Sequence, residues 1–373
     1  MAYSREDIDK VRERTDLAEL AAEVTKVKKS GRSVMAVCPF HQEKTPSLSI
    51  DPARGLYHCF GCGKGGDVFQ WVQETQSVDF VGALELLARR VGVTLTEDPD
   101  AQKRRGRREA LIGATQAAVD FYRERLKSAD DASGARAYLR SRGYDGDVVE
   151  QFQLGYSPAG WEELAKHLTK EGIADPAMIT AGLVSRGRNN KLIDRFRGRL
   201  MWPIRDLMGA VVGFGARRLF DDDRIDAKYL NTPETPLYRK STVLYGVDLA
   251  KKEIARQSRA VVVEGYTDVM ACHLAGVTTA VATCGTAFGD DHAKVLRRLL
   301  MDQDEFRGEV VFTFDGDEAG KKAALRAFEG DQRFVAQTYV AIEPNGRDPC
   351  DLRVDDGDAA VRELVARRRP LFE

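Results

Sequence analysis

Long apolar runs are missing from this chain. No stretch of 18 apolar residues occurs in it, so the sequence offers no membrane-spanning helix. Its start, Met-Ala-Tyr-Ser-Arg-Glu-Asp, lacks the apolar core of a secretory leader. Both absences lead to the expectation of a cytoplasmic protein without a membrane partner. Cysteine is scarce as well. Six cysteines in 373 residues are too few for a disulfide scaffold. An excess of charge of one sign is also lacking. The 57 Lys plus Arg stand against 58 Asp plus Glu, a formal net charge of -1, so the total by itself gives no support to nucleic-acid binding. No internal repeat of a few tens of residues is visible.

What is present is unevenly placed. Residues 103–108 read Lys-Arg-Arg-Gly-Arg-Arg, and residues 186–199 hold six basic groups against Asp194 alone. Acids gather at Asp221-Asp222-Asp223 and from Asp302 to Glu309. A neutral total can therefore hide a basic groove beside an acidic site. The length calls for two or three domains, and 43% hydrophobic residues is the content of a globular protein.

Near the N-terminus stand Cys38-Pro-Phe-His41 and Cys59-Phe-Gly-Cys62. Two residues between the ligands of each pair turn the backbone so that both side chains face one ion. Thiolate and imidazole suit Zn²⁺, and four protein ligands close its tetrahedron, so one structural zinc is expected. Gly61 and Gly63 are placed to take positive φ around the second pair. Lys44, Arg54 and Lys64 are the nucleic-acid candidates around this knuckle. Phe69 reads as core, whereas Tyr57 and Trp71 suit either core packing or base stacking. A short amphipathic helix fits within residues 5–22, and two more follow Asp67 and Val78, the second ending at Gly92. Residues 97–108 hold Pro99 and the basic run with almost no apolar anchor, and read as a domain boundary.

Residues 110–185 are mainly helical in pattern, and Leu200–Ile204 and Ala210–Phe214 read as strands. From residue 259 strand and helix alternate. Strands are expected at 260–263, 278–283, 310–314 and 337–342, and helices at 267–275, 289–300 and 319–328, the rhythm of a mostly parallel α/β layer. Cys272 and Cys284 fit its core as reduced thiols.

Two of these strands end in acids. Val261-Val262-Val263 runs into Glu264-Gly265, and Val310 to Phe314 runs into Asp315-Gly316-Asp317. The carboxyl ends of parallel strands share one edge, where ligands collect. Asp268 lies one helical turn beyond Glu264 and can return to the same place. In Asp348-Pro349-Cys350-Asp351 either aspartate can complete the cluster, and the place of Asp348 before proline favours it. So many carboxylates together call for Mg²⁺, which takes oxygen ligands and keeps positions for water and phosphate. Two such ions can orient attacking and leaving oxygens. Arg195, Arg197 and Arg199 would face together if their stretch were extended. With Arg205, Arg217 and Arg218 they suggest a phosphate-holding surface.

At this point the chain resembles the bacterial replicative primases over nearly its whole length. Cys-Pro-Phe-His…Tyr-His-Cys-Phe-Gly-Cys is similar to their zinc-binding domain. Asp-Arg-Phe-Arg-Gly-Arg-Leu-Met-Trp-Pro-Ile, Gly-Phe-Gly-Ala-Arg and Lys-Tyr-Leu-Asn-Thr-Pro-Glu-Thr are similar to their basic polymerase motifs. Glu-Gly-Tyr-Thr-Asp-Val and Phe-Asp-Gly-Asp-Glu-Ala-Gly resemble the toprim module shared with type IA topoisomerases. The resemblance implies an α+β multidomain chain. A zinc-binding domain of the ribbon type spans 1–98, a basic linker 99–110, a mixed α/β basic subdomain 111–255, an α/β toprim domain with a mostly parallel sheet 256–343, and a short helical C-terminal part of the polymerase core 344–373. It implies Glu264, Asp315 and Asp317 as catalytic acids, and Glu264, Asp268, Asp315, Asp317 and Asp348 as holders of two or more Mg²⁺ or Mn²⁺ ions. Arg142, Arg195, Arg199, Arg217, Lys228, Asn231 and Lys240 match positions for template or nucleotide. The implied partners are single-stranded DNA template, ribonucleoside triphosphates, RNA primer, single-stranded-DNA-binding protein and, through a C-terminal domain that this sequence does not contain, the replicative helicase at the fork. One departure concerns Cys350, which stands where the family often has another acid. Toprim strand cleavage and a zinc-anchored single-strand-binding module are the competing readings.

Overall fold

The computed structural model describes residues 3–31, 33–76, 78–220, 226–300, 308–314 and 338–370. By internal contacts the chain divides into two units, residues 1–107 and 108–373.

In the first unit the expected single helix is two. Arg5–Arg14 and Leu17–Val24 are separated at Thr15-Asp16. The Asp16 carboxylate accepts from the amides of Ala18 and Glu19 at 2.7 and 3.3 Å, so it satisfies the first donors of a new helix. An antiparallel five-stranded sheet follows, ordered Val27–Ser30, Ser33–Ala36, Leu48–Asp51, Leu56–Cys59 and Gly65–Gly66. The helix Val68–Gln76 packs beside the strand Gly65–Gly66, and Phe80–Val91 packs on that helix and on Arg5–Arg14. Asp67 caps the first through the amides of Phe69 and Gln70, and Gly92 ends the second at φ +67°. Tyr57, Phe69 and Trp71 are all buried, with the Tyr57 and Trp71 rings 5.1 Å apart edge to face. Packing, not base stacking, is what these three rings do in the structure.

Residues 99–110, read above as a linker, form the first part of a 30-residue helix, Pro99–Ser128. Its charged opening is held by side-chain pairs rather than by an apolar stripe. Arg104 reaches Asp98 at 3.2 Å and Arg105 reaches Glu97 at 3.8 Å.

The second unit holds two main sheets. One is antiparallel, ordered Tyr229–Asn231, Val211–Arg218, Arg199–Arg205 and Gly155–Ser157. The other has six strands, ordered Leu244–Tyr245, Ala280–Thr283, Arg259–Val263, Glu309–Phe314, Thr338–Ile342 and Arg369–Pro370. Its four central strands are parallel and its two edges antiparallel. Ala260, Val261, Val262 and Val263 are buried, as expected of strands covered on both faces. The helices Val247–Gln257, Tyr266–Leu274 and Asp290–Leu299 accompany the sheet, and Pro349–Asp356 and Asp358–Ala366 lie between its last two strands in the chain. The helix expected at 319–328 lies outside the described residues. The architecture is that of an α+β multidomain protein with a largely parallel α/β layer. Among the described residues no helix is long and apolar enough to cross a membrane.

The Gly213-Phe214-Gly215 step shows how the antiparallel sheet meets the α/β layer. Gly215 pairs with Trp202 on one side and Asn231 on the other. A Cβ on it would lie within 2.5 Å of the Tyr266 ring and hydroxyl. Tyr266 stacks on Trp202 at 5.6 Å and 17°. The absent side chain thus lets the first residue of the helix Tyr266–Leu274 seat against the sheet.

Candidate zinc centre and acid site

Cys38, His41, Cys59 and Cys62 come together, their ligand atoms all within 4.8 Å of one another. The Cys38–Cys62 sulfur separation and the Cys59 Sγ to His41 Nδ1 separation are both 3.9 Å. A tetrahedron with metal–sulfur bonds of about 2.3 Å has edges of about 3.8 Å, so the quartet fits zinc as a closed structural site. The amides of Gly61 and Cys62 donate to Cys59 Sγ at 3.3 and 3.4 Å, and that of Phe40 donates to Cys38 Sγ at 3.4 Å. Burial opposes ionisation of Cys59, but the Ser47 hydroxyl and the Cys62 and Gly61 amides outweigh it and draw the thiol below its ordinary value. Glu43, not singled out from the sequence, accepts from the Cys38 amide at 2.7 Å and faces His41 Nε2 at 3.2 Å. It leaves Nδ1 for the metal, as a carboxylate behind a ligating histidine does. Gly63 takes φ +74° as expected. Gly61 does not, and serves by its size, since a Cβ there would meet His41 Nε2 at 2.7 Å. Lys44 and Arg54 are exposed, whereas Lys64 is paired with Glu74 at 2.5 Å.

Glu264, Asp268 and Asp348 lie in the segments that follow the parallel strands Arg259–Val263 and Thr338–Ile342. Glu264 follows Val263 directly and is exposed. Val262 is level with Phe312, and continuing that register brings Glu264 level with Phe314. Asp315 and Asp317 lie outside the described residues. Asp268 is buried, and its Oδ2 accepts from the Gly265 amide at 2.9 Å. Asp348 caps the helix Pro349–Asp356, its Oδ1 accepting from the Asp351 amide at 2.6 Å. The loop before it is fixed by Arg347, which pairs with Glu343 at 2.9 Å and Asp356 at 2.7 Å. Asp351 is engaged by the Arg142 guanidinium. Cys350 is buried and meets the Tyr144 hydroxyl at 3.2 Å. Burial first, then the charges of Asp268 and Asp348, hold its thiol above the ordinary value against the pull of Tyr144 and Arg142. Among the described residues, the zinc quartet is the one group in which three or more such ligand atoms converge; Glu264, Asp268 and Asp348 do not yet form one.

The basic residues do not share one strand face. Gly198 turns the chain at φ +62°. Arg195 donates to the Asn231 carbonyl at 2.9 Å, Arg197 lies over Trp161 at 4.4 Å, and Arg199 is buried with Nη1 on the Ala227 carbonyl at 3.1 Å. Arg217 donates to the Tyr229 hydroxyl at 2.9 Å and lies 4.5 Å over Tyr138. Lys228 is exposed and Lys240 half-buried. Asn231 donates from Nδ2 to the Cys284 carbonyl at 2.8 Å and accepts the Tyr266 hydroxyl at 2.9 Å. It therefore joins the outer strand of the antiparallel sheet to the turns that follow two parallel strands, one of them carrying Glu264. Tyr144 and Tyr266 were passed over in the sequence. The one available signal was the position of Tyr266 inside Glu-Gly-Tyr-Thr-Asp.

Three families match in the same order as these structures. Residues 3–103 match a family described as CHC2 zinc finger, 121–251 one described as DNA primase catalytic core, N-terminal domain, and 258–341 one described as Toprim domain. The RNA polymerase domain of Mycobacterium tuberculosis primase, solved with a double-stranded DNA oligomer with a 6-nucleotide overhang, is 57% identical. It matches with a TM-score of 0.68 over 71% of this chain and 82% of that one. The chain belongs to the bacterial DNA primase family. A structure of the Aquifex aeolicus primase holding zinc-binding and RNA polymerase domains is 31% identical, with a TM-score of 0.62 over 97% of this chain and 85% of that chain. The DNA primase of Mycobacterium tuberculosis (strain ATCC 25618 / H37Rv) is 52% identical over 374 residues, which is 99% of this chain and 58% of the relative. The chain thus spans 58% of the length of that primase.

Proposed function

We propose that this chain synthesises short RNA primers on single-stranded DNA. The observation that carries the reading is the link through Asn231. It ties a basic, aromatic-faced sheet to the turn bearing Glu264 and Asp268 through the Tyr266 hydroxyl at 2.9 Å, in a member of the primase family. In this reading a 3′-hydroxyl of a primer or initiating nucleotide attacks the α-phosphorus of an incoming ribonucleoside triphosphate. The new oxygen–phosphorus bond forms as the bond to pyrophosphate breaks. Glu264, Asp268 and Asp348, with Asp315 and Asp317, would hold Mg²⁺ or Mn²⁺, two or more during catalysis. Bound there, these ions would supply charge that offsets the phosphates and the transition state. Glu264 and Asp268 keep their spacing because the Gly265 amide fixes Asp268. Arg142, Arg195, Arg199, Arg217, Lys228, Asn231 and Lys240 would hold template or triphosphate as backbone-positioning contacts. A DNA partner is supported by the related M. tuberculosis domain, which was solved with DNA.

In the same reading residues 1–98 form the zinc-binding domain and govern initiation, 111–255 form the basic subdomain, 256–343 the toprim domain and 344–373 the end of the polymerase core. The basic segment 99–110 serves as their connection. The setting is the cytoplasmic replication fork, with single-stranded-DNA-binding protein and a helicase reached through a further C-terminal domain. Strand cleavage of the topoisomerase kind needs a nucleophilic tyrosine. Tyr144, Tyr238, Tyr245 and Tyr266 are buried, Tyr229 beside Thr267 is half-buried, and burial raises the pKa of each. Incorporation of labelled ribonucleotide on an unprimed template tests the proposal. Mg²⁺-dependent product supports it. Nicking without nucleotides, or binding without turnover on every template by zinc-loaded protein, rejects it.

A further inference from the structure

The two elements that carry Asp268 and Asp348 begin at neighbouring helix starts, Tyr266–Leu274 and Pro349–Asp356. Both touch one tyrosine. Tyr144 lies two residues past Arg142, the residue that caps the helix Ser133–Ser141, and Gly143 between them turns the chain at φ +68°. The Tyr144 hydroxyl donates to the Thr267 carbonyl at 2.9 Å and lies 3.2 Å from Cys350 Sγ. Thr267 immediately precedes Asp268, and Cys350 is two residues past Asp348. Arg142 strengthens the second contact by pairing with Asp351, whose amide is the donor that holds Asp348 Oδ1. The turn Arg142-Gly143-Tyr144 therefore grips both acid-bearing helix starts from the neighbouring subdomain.

We propose that Tyr144 is a positioning residue of the acid site, its hydroxyl setting the separation of Asp268 from Asp348 and so the affinity for a divalent cation. The inference rests on the reading that these acids hold such cations. Cys350 is buried beside that hydroxyl, so a single oxygen serves both helix starts. Tyr144 touches no reacting group in this scheme. It acts through the backbone carbonyl next to one ligand and the side chain near another, the position from which a neighbouring contact tunes metal affinity.

The test uses the full, zinc-loaded chain and Mn²⁺ as the probe, with free Mn²⁺ followed by its electron paramagnetic resonance signal. Tyr144→Phe deletes the hydroxyl and keeps the ring. Its Mn²⁺ affinity is expected to fall by about tenfold, at a temperature well below its unfolding midpoint. Leu168→Ala serves as control. Leu168 is fully buried in the helix Glu163–Lys170, so its truncation loosens the same unit without touching Tyr144, and its Mn²⁺ affinity should remain that of the wild type. Wild-type affinity in Tyr144→Phe overturns the proposal, and so does an equal loss in Leu168→Ala. Glu264→Gln and Asp268→Asn separate this from the reading beneath it. If both keep wild-type Mn²⁺ binding, the metal assignment fails. If both lose it while Tyr144→Phe does not, only the positioning role fails.

Discussion

Gly215→Ala should damage the second unit far more than an added methyl usually does. Gly215 does not lie in the left-handed region, so no backbone strain arises and the effect is steric. The new Cβ would stand within 2.5 Å of Tyr266 Cε2 and hydroxyl oxygen, and closer still to Cζ, where ordinary carbon contacts are about 3.5–4.0 Å. The ring cannot step aside. Trp202 stacks on it at 5.6 Å, Tyr245 meets it edge-on at 4.9 Å, and its hydroxyl is bonded to Asn231 at 2.9 Å. Overpacking costs roughly 1–3 kcal/mol, and loss of the Asn231 bond adds about 1 kcal/mol. Together they predict about 2–4 kcal/mol, or a fall in Tm of roughly 4–8 °C for a unit of this size. Calorimetry of Gly215→Ala gives the first number. The decisive comparison is Gly215→Ala in a Tyr266→Leu background, where the clash is removed and the alanine should cost little. If the two substitutions instead add within about 0.5 kcal/mol, Tyr266 is not what the missing side chain accommodates.

Cys59→Ser should lower bound zinc, measured by atomic absorption, and impair priming from a start site while sparing extension of a supplied primer; equal loss of both in folded protein would place the zinc domain in the chemical step. Lys228→Ala, at an exposed cation, should weaken DNA binding and reduce the slope of log affinity against log salt by about 1; an unchanged slope removes it from the interface. Burial lifts the Asp194 carboxyl from 3.8 to about 6, against the amides of Leu164 and Ala165. A raised folded pKa means that its contribution to stability is fully present below the unfolded value and is lost as pH rises through about 6. Wild type should therefore gain up to about 3 kcal/mol from this group between pH 7 and pH 4, seen as a shift in urea unfolding that Asp194→Asn lacks. Identical pH dependence of the two proteins would refute it.

The zinc quartet was legible because each pair is set by a local turn, and the parallel strands because Val261–Val263 and Val310–Phe314 are apolar runs bounded by acids. What escaped depends on distant partners or on charges. The opening of the helix Pro99–Ser128 has no apolar period, and is held by Arg104 with Asp98 and by residues that favour helix intrinsically. The break at Asp16 needed a capping bond of 2.7 Å that periodicity does not register. Arg195, Arg197 and Arg199 looked co-facial until Gly198 turned the chain. Tyr144 finds Thr267 and Cys350 across 123 and 206 positions, a relation no local pattern carries. Asp315 and Asp317 were read from the sequence and lie outside the described residues.

Glu264→Gln separates primer synthesis at the strand-end acid from every other reading of this chain. The substitution keeps size and removes one charge from an exposed side chain at the end of a strand, so the fold should stand and the thermal midpoint should stay close to that of the wild type. The measurement is labelled-ribonucleotide incorporation on unprimed single-stranded DNA with Mg²⁺, wild type and variant side by side, both zinc-loaded. Primer-length RNA is expected from the wild type and a loss of roughly a hundredfold or more in the variant, the scale of removing one electrostatic group from a transition state. Wild-type product from Glu264→Gln would contradict it.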